Sequence, residues 1–478
     1  MPTFHGRDKE LNKLNRFIKK KTASLIVFRG RRRIGKTRLA QEYGKQFKTY
    51  TFSGLPPDDD QKITAQIQRE EFARQIKRET GIGGLATEDW GDLFWHLSEY
   101  TNKQRGKILI VLDEINWMGS LDPAFLGKLK IAWDDYFKKN PRLIMILSGS
   151  MSAWIERNIL SSSGFMGRIS LDLVLEELPL DTCNDFWGKQ KVNVSAYEKF
   201  KILSVTGGVP RYLEEINPQI SAEENIQTLA FQKGELLVEE FDRIFTDLFS
   251  KRNEKYKTIV KGLINGSQSL NGISEKLGIQ KGGQISEYLD DLVETGFITR
   301  DYTWNLKNGQ LSKLSKYRLR DNYLRFYLKY IEPNKNKIIS EGSIKPPAWH
   351  TIMGLQFENL VINNRQLLYC NLGIDPNEVI IANPYFQRKT NTHEACQIDF
   401  LIQMKFDTLI LCEIKFSREK IGCSVINEIS EKIRRLKAPR RVSIRPALIH
   451  VNGVTEPLVE SDTFANIIDF SGFLEDSN

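Results

Sequence analysis

The sequence predicts a multidomain α/β protein, with a parallel sheet near its N-terminus and a separate α/β domain near its C-terminus. Three observations predict it. The apolar strand Leu25-Ile26-Val27-Phe28-Arg29 runs into Gly30-Arg31-Arg32-Arg33-Ile34-Gly35-Lys36-Thr37. The apolar run Lys107 to Leu112 ends in Asp113-Glu114. Far downstream, Ile398-Asp399-Phe400-Leu401-Ile402 is followed, fourteen residues after Asp399, by Glu413-Ile414-Lys415. At 478 residues the chain has room for about three or four domains of ordinary size.

Composition narrows the class. Hydrophobic residues make up 40% and aromatic residues 10%, enough to build real cores and too many for a disordered chain. The five cysteines, Cys183, Cys370, Cys396, Cys412 and Cys423, form no C-x-x-C pair, so neither a zinc knuckle nor a disulfide framework is expected. Cys412 lies in an apolar strand and reads as a small core residue. No apolar run approaches the length of a membrane span and no signal segment opens the chain, so no membrane partner and a cytoplasmic location are expected. The net charge is +9, and the first fifty residues carry fifteen Lys and Arg against three Asp and Glu. A solvated basic surface explains this as well as a nucleic-acid partner does, and DNA gains weight only from agreement with other features.

The strand–loop–helix context of the first motif is what a triphosphate cradle needs, with Arg38 to Tyr43 as the helical run that follows. Gly30, Arg31, Arg32, Arg33, Ile34 and Gly35 offer backbone N–H groups to phosphates, and the helix start at Lys36, Thr37 and Arg38 adds a favourable dipole. Lys36 would reach the β- and γ-phosphates of ATP, and Thr37 would ligate Mg²⁺. Asp113, at a strand's carboxyl end, would hold the same ion, and Glu114 would polarise the attacking water. The strand Leu143 to Leu147 ends in Ser148-Gly149-Ser150, where Ser148 or Ser150 is placed to sense the γ-phosphate.

Phe4-His5-Gly6-Arg7-Asp8-Lys9-Glu10-Leu11 resembles the "F-x-G-R-x-x-E-L" box that opens the archaeal-type P-loop ATPases, relatives of the STAND and AAA ATPases. Gly30 to Thr37, Asp113-Glu114 and Ser148-Gly149-Ser150 match that family's later motifs in order. Gly164-Phe165-Met166-Gly167-Arg168 resembles its "Y-G-R" element, and Thr206-Gly207-Gly208-Val209-Pro210-Arg211-Tyr212-Leu213 its lid motif. The resemblance covers roughly residues 1 to 245. It implies that Gly6 and Arg7 line the adenine side, and that Pro210 and Tyr212 place a helical lid over the base. It also implies that Arg168 is an arginine finger, supplied within the chain or by a neighbouring subunit of a homo-oligomer. An ordinary surface arginine is the competing reading of Arg168.

From about Lys255 the pattern changes. Helical spacing from Tyr256 to Ile264 is stopped by Asn265-Gly266, Ile273 to Leu277 is closed by Gly278, and Gln280 to Gly283 reads as a turn. Ile285 to Glu294 is amphipathic, and a strand from Gly296 leads to a hairpin turn at Asn308-Gly309. This is the pattern of a winged helix. Glu287, Asp290, Asp291 and Glu294 oppose phosphate contact by the third helix, which favours a protein partner there over base reading. Lys307, Lys313, Lys316 and Arg318 on the wing leave contact with a nucleic-acid backbone open.

Gln397 to Ile402 reads as a strand, Lys405-Phe406-Asp407 as a turn, and Thr408 to Phe416 as the partner strand. In such a hairpin Asp399 and Glu413 approach each other, and Glu413 shares a face with Lys415. Two carboxylates suit Mg²⁺ or Mn²⁺, and Lys415 would orient water or neutralise a scissile phosphate. A plain hairpin with a Glu413–Lys415 surface ion pair is the competing reading. Residues 320 to 478 resemble the C-terminal domain that follows such ATPases, which is similar to the PD-(D/E)XK nuclease superfamily. Tyr317 to Tyr327 resembles its entry, and Glu358 its upstream acid; Ile398 departs from the motif's proline. Downstream Lys432, Arg434, Arg435, Lys437, Arg440, Arg441 and Arg445 suit either a phosphate-binding face or a solvated surface.

The expected architecture is a P-loop ATPase core (1–175), a helical lid (176–250), a winged helix (251–320) and a restriction-endonuclease-like α/β domain (321–478).

Overall fold

Apolar runs rich in Ile, Leu and Val form a five-stranded sheet from β1 (Ser24–Arg29), β2 (Lys48–Ser53), β3 (Ile108–Asp113), β4 (Leu143–Gly149) and β5 (Ile169–Val174), in the order β2-β3-β4-β1-β5. Every pairing is parallel. All residues of β3 and β4 are buried, as expected of inner strands covered on both faces. This computed structural model describes residues 3–56, 63–150, 152–249, 253–278, 283–391 and 393–475. The chain divides into two compact units, Met1–Leu178 with Ile244–Lys251, and Pro179–Arg243 with Arg252–Asn478. The segment 176–250 is thus divided between them. Among the described residues no helix is long and apolar enough to cross a membrane.

In the first unit, helix Ala65–Thr80 starts where Thr64 accepts from the Ile67 N–H, and helix Trp90–Asn102 where Asp89 accepts from Gly91. Satisfying these otherwise orphaned donors sets each helix start. Phe72, Trp90, Phe94 and Phe125 then pack edge-on and stacked under one face of the sheet.

In the second unit, helices Asn253–Lys261, Leu270–Leu277 and Gly283–Glu294 precede an antiparallel hairpin of β6 (Ile298–Trp304) and β7 (Leu311–Leu319). Three helices and a two-stranded hairpin therefore occur in the order expected. The first helix stops three residues early, at Lys261. Gly262 follows, and its N–H is shared between the carbonyls of Thr258 and Ile259. Glycine's conformational freedom disfavours continuing the helix there. The expected turn at 280–283 falls, through Gly282, outside the described residues.

Helix Met353–Asn363 leads into β8 (Val379–Gln387), β9 (Cys396–Met404) and β10 (Thr408–Lys415). Helix Ser424–Arg435 then connects to β11 (Ser443–His450) and β12 (Asn466–Asp469). The sheet order is β12-β11-β10-β9-β8. β8, β9 and β10 pair antiparallel, whereas β10, β11 and β12 pair parallel. The parallel crossover needs a helix, and Ser424–Arg435 supplies it. Phe406 and Asp407, at φ 61° and 53°, make the tight β9–β10 turn. The partner strand ends at Lys415, one residue before the expected Phe416, whose ring stacks on Tyr197.

Candidate functional site

The phosphate loop leaves β1 through Gly30, at φ 147°, where an added Cβ would lie 2.4 Å from the Leu175 carbonyl oxygen. No side chain fits that approach. The loop turns through Arg33 (φ 69°) and Gly35 (φ 90°) into helix Lys36–Gly44. Lys36 is buried and donates from Nζ to the carbonyls of Gly30 and Arg31, both at 3.0 Å. Burial pulls its ammonium below the usual lysine range, while Glu114 and Asp113 pull the other way. Arg7 lies beside the loop in a role the motif did not reveal. Its Nη2 donates to the carbonyl oxygens of Ile34 (3.0 Å) and Glu176 (2.7 Å), so it braces the loop backbone. Gly6, at φ 64°, supplies the turn before it. Arg31 pairs with Glu177 at 3.1 Å.

Because β4 lies between β1 and β3, the acids and the serines meet beside the loop. Thr37 Oγ1 donates to Asp113 Oδ2 at 2.6 Å. Two hard oxygen groups meeting at one point suit Mg²⁺. Glu114, at φ 48°, accepts from Ser150 through both N–H (3.3 Å) and Oγ (2.8 Å). Ser148 is fully buried, and among the described residues its Oγ has no hydrogen-bond partner. The same is true of both amide atoms of Asn116, two residues past Glu114. Asn116 belongs to none of the motifs of the nucleotide site. Gly149 marks its place, because a Cβ there would stand 2.5 Å from Asn116 Oδ1. Unsatisfied buried polar atoms are costly and call for a partner such as water or ligand.

Arg168 lies elsewhere. It precedes Ile169, which pairs with Leu25 at the N-terminal end of β1, whereas the phosphate loop leaves the other end after Arg29. Four strand residues separate the two ends by roughly 13 Å. Arg168 instead grips Asp134 with Nε at 2.9 Å and Nη2 at 2.8 Å. These contacts hold the Asp134 carboxyl down to about 2. Of the two routes expected for an arginine finger, the one within the chain does not fit this placement. Pro210 is the first residue of helix Pro210–Leu213, and the fully buried Tyr212 ring packs on Tyr323, 5.1 Å between centroids. Both belong to the second unit.

In the C-terminal sheet, the β9–β10 register runs as far as Cys412 opposite Phe400, and Glu413 and Asp399 each follow directly on that pair. Cys412 is fully buried, and burial pushes its thiol well up. Glu413 is 1% exposed. Lys432, from helix Ser424–Arg435, reaches Asp399 Oδ1 at 3.1 Å and Glu413 Oε2 at 2.5 Å. Asp399 Oδ2 accepts from the Ile414 N–H at 3.0 Å. Lys415 pairs with Glu413 Oε1 at 3.0 Å and Glu428 Oε2 at 2.6 Å. The Glu413–Lys415 contact therefore exists, with its carboxylate buried and not on the surface. Burial lowers the Lys415 ammonium, yet Glu428 and Glu413 outweigh it and raise it above the usual range. Two carboxylate oxygens, one from Asp399 and one from Glu413, converge on one cationic atom, the Lys432 ammonium nitrogen. Among the described residues no three His, Cys, Asp or Glu side chains gather as a ready ligand shell.

Glu358, on helix Met353–Asn363, is pushed up to about 7 by burial and then by the nearby charge of Asp399, against Arg318 and Arg325. Arg318 is not available on the wing as expected. It is buried, bonds Asp301 Oδ2 at 2.9 Å through Nε, and also donates to Asn359. Lys432, expected on either a phosphate-binding face or a solvated surface, instead pairs with Asp399 and Glu413; its i, i+4 spacing from Glu428 is the signal in the sequence for that role. Arg434 and Arg435 pair with Glu431 and Glu394.

The first unit's sheet, loop and acids define a P-loop nucleotide-binding domain. Residues 4–216 match the family model described as an ATPase domain predominantly from Archaea. An uncharacterised protein of Methanocaldococcus jannaschii, MJECL04, is 26% identical over 344 residues, 70% of each chain. The Walker-type ATPase paby2304 of Pyrococcus abyssi shares the fold at a TM-score of 0.50 and 16% identity, covering 68% of this chain and 96% of its own. The ORC2 protein of Aeropyrum pernix, solved as ADPNP–ADP complexes, aligns at a TM-score of 0.41 and 16% identity over 71% of this chain and 96% of its own. The family match and the shared fold support an archaeal-type P-loop ATPase in the N-terminal part.

Proposed function

We propose that the chain is an ATP-hydrolysing switch coupled to a DNA-directed, Mg²⁺-dependent nuclease-like domain. The observation that carries the second half is the convergence of Asp399 and Glu413 on one cation position, with Lys415 on the same strand face. At the nucleotide site, Lys36 exchanges its two loop carbonyls for phosphate oxygens. Thr37 and Asp113 hold Mg²⁺, Ser148 and Asn116 offer unused polar atoms, and Glu114 orients water once it leaves Ser150. At the C-terminal site, Asp399 and Glu413 hold the cation, Mg²⁺ or Mn²⁺. A divalent ion bound there supplies an activated water and charge stabilisation at the scissile phosphate. Lys415 orients that water or neutralises the phosphate, and Glu358, with its raised pKa, is placed to hold a proton near Asp399.

The test incubates the full chain with plasmid, single-stranded DNA and RNA, with Mg²⁺ or Mn²⁺, with and without ATP. Metal-dependent DNA cleavage lost in Asp399→Asn and in Lys415→Ala supports the reading, and a dependence on ATP lost in Lys36→Ala supports the coupling. Cleavage unchanged by Asp399→Asn refutes the nuclease half.

A second reading, a nucleotide-dependent scaffold that binds nucleic acid or protein without cleaving, is favoured by exposed Glu287, Asp290 and Glu294 on the third helix of the wing module. Binding without cleavage in the same assay selects it.

A further inference from the structure

One helix face neutralises both halves of the C-terminal site. Glu428 and Lys432 stand one turn apart on helix Ser424–Arg435, which is anchored to the sheet by buried Val425 and Ile429. Residues four apart lie one above the other on a helix. Lys432 Nζ sits between Asp399 Oδ1 and Glu413 Oε2, at 3.1 and 2.5 Å, and Glu428 Oε2 takes Lys415 Nζ at 2.6 Å. The ammonium thus occupies the point where both carboxylates converge, and the carboxylate holds the lysine that would meet a phosphate. Each group has the charge of what the site would bind.

From this geometry we infer that Lys432 is a built-in counter-cation: it holds the Asp399–Glu413 pair in a resting state, and a divalent cation binds only by displacing it. The inference rests on the proposed metal site and names its regulation. Glu413 is 1% exposed. A buried carboxylate needs a compensating charge, and Lys432 supplies one until the ion does. A binding-competent state that is a minor fraction of the population weakens apparent affinity by that fraction.

The test titrates Mn²⁺ into the full chain in calorimetry, without nucleic acid. Lys432→Gln should bind Mn²⁺ about tenfold or more tighter than wild type, because no ammonium has to leave first. Lys437→Gln, which removes an exposed charge just beyond the helix, should change affinity about twofold or less, since exposed charges are screened. Asp399→Asn should abolish the site. In the unsubstituted chain, Mn²⁺ should raise the labelling of Lys432 by an amine-reactive reagent, read by mass spectrometry; this readout stands even if Lys432→Gln folds poorly. Equal affinities for wild type, Lys432→Gln and Lys437→Gln, or labelling of Lys432 unchanged by bound Mn²⁺, overturn the inference and leave the metal site standing. Absence of saturable Mn²⁺ binding in both wild type and Lys432→Gln overturns the inference and the metal site together.

Discussion

Ser150 Oγ donates to Glu114 Oε2 at 2.8 Å, so the acid expected to activate water is engaged by the neighbouring strand's serine. A hydrogen bond to a carboxylate of this kind is worth about 1.5 to 3 kcal/mol. Ser150→Ala should therefore raise basal ATP hydrolysis several-fold, measured as steady-state phosphate release. A rate drop of similar size would instead make Ser150 a support for Glu114 in the working geometry.

The two charged groups of the nucleotide site should differ in what their removal costs. Lys36→Ala should lose about 10² or more in hydrolysis rate together with nucleotide affinity, because its ammonium meets the phosphates in ground and transition states alike. Glu114→Gln should keep nucleotide binding and lose about 10² to 10⁴ in turnover. A fluorescent ATP analogue reads the first property and phosphate release the second.

Glu358 sets a pH dependence of stability. Its carboxyl rises from an ordinary 4.5 to about 7 in the folded chain, through burial first and Asp399 second. The native state then holds a proton that the unfolded state has released, so stability is full below about pH 4.5 and falls as pH rises towards 7. Glu358→Gln should flatten that slope and stabilise the chain at pH 8 by up to about 3 kcal/mol. Urea unfolding in EDTA at pH 5 and pH 8 measures it; equal slopes in both proteins would contradict the assignment.

Arg318 and Asp301 form a buried pair within the wing hairpin, with side chains 8% and 4% exposed. Arg318→Met leaves Asp301 a buried charge without its guanidinium, at a cost of about 3 to 5 kcal/mol. Urea unfolding should show that loss. Asp301→Asn combined with Arg318→Met should recover part of it, which a nucleic-acid contact by Arg318 would not explain.

The placement of Arg168 against Asp134 predicts no role in hydrolysis within a single chain. Arg168→Ala should leave the hydrolysis rate per chain unchanged at high dilution, since the residue lies at the far end of β1 from the phosphate loop. A deficit that grows with protein concentration would show Arg168 acting on a neighbouring subunit.

Much of this protein was legible in its residue order. Gly30 to Thr37 with its flanking strand and helix, Asp113-Glu114 at a strand end, and three helices followed by a hairpin all follow from spacing within a few residues. Strand alternation, helical period and glycine conformation act at that range. The tertiary structure alone decided which distant charges meet. Lys432 lies 33 residues from Asp399 and 19 from Glu413, and it reaches them because Val425 and Ile429 fix which face of its helix meets the sheet. The β1–β5 register puts Arg168 away from its own phosphate loop, and burial matches Arg318 with Asp301. Ion pairs across such separations are chosen by how apolar faces pack, since packing fixes where each long side chain can reach.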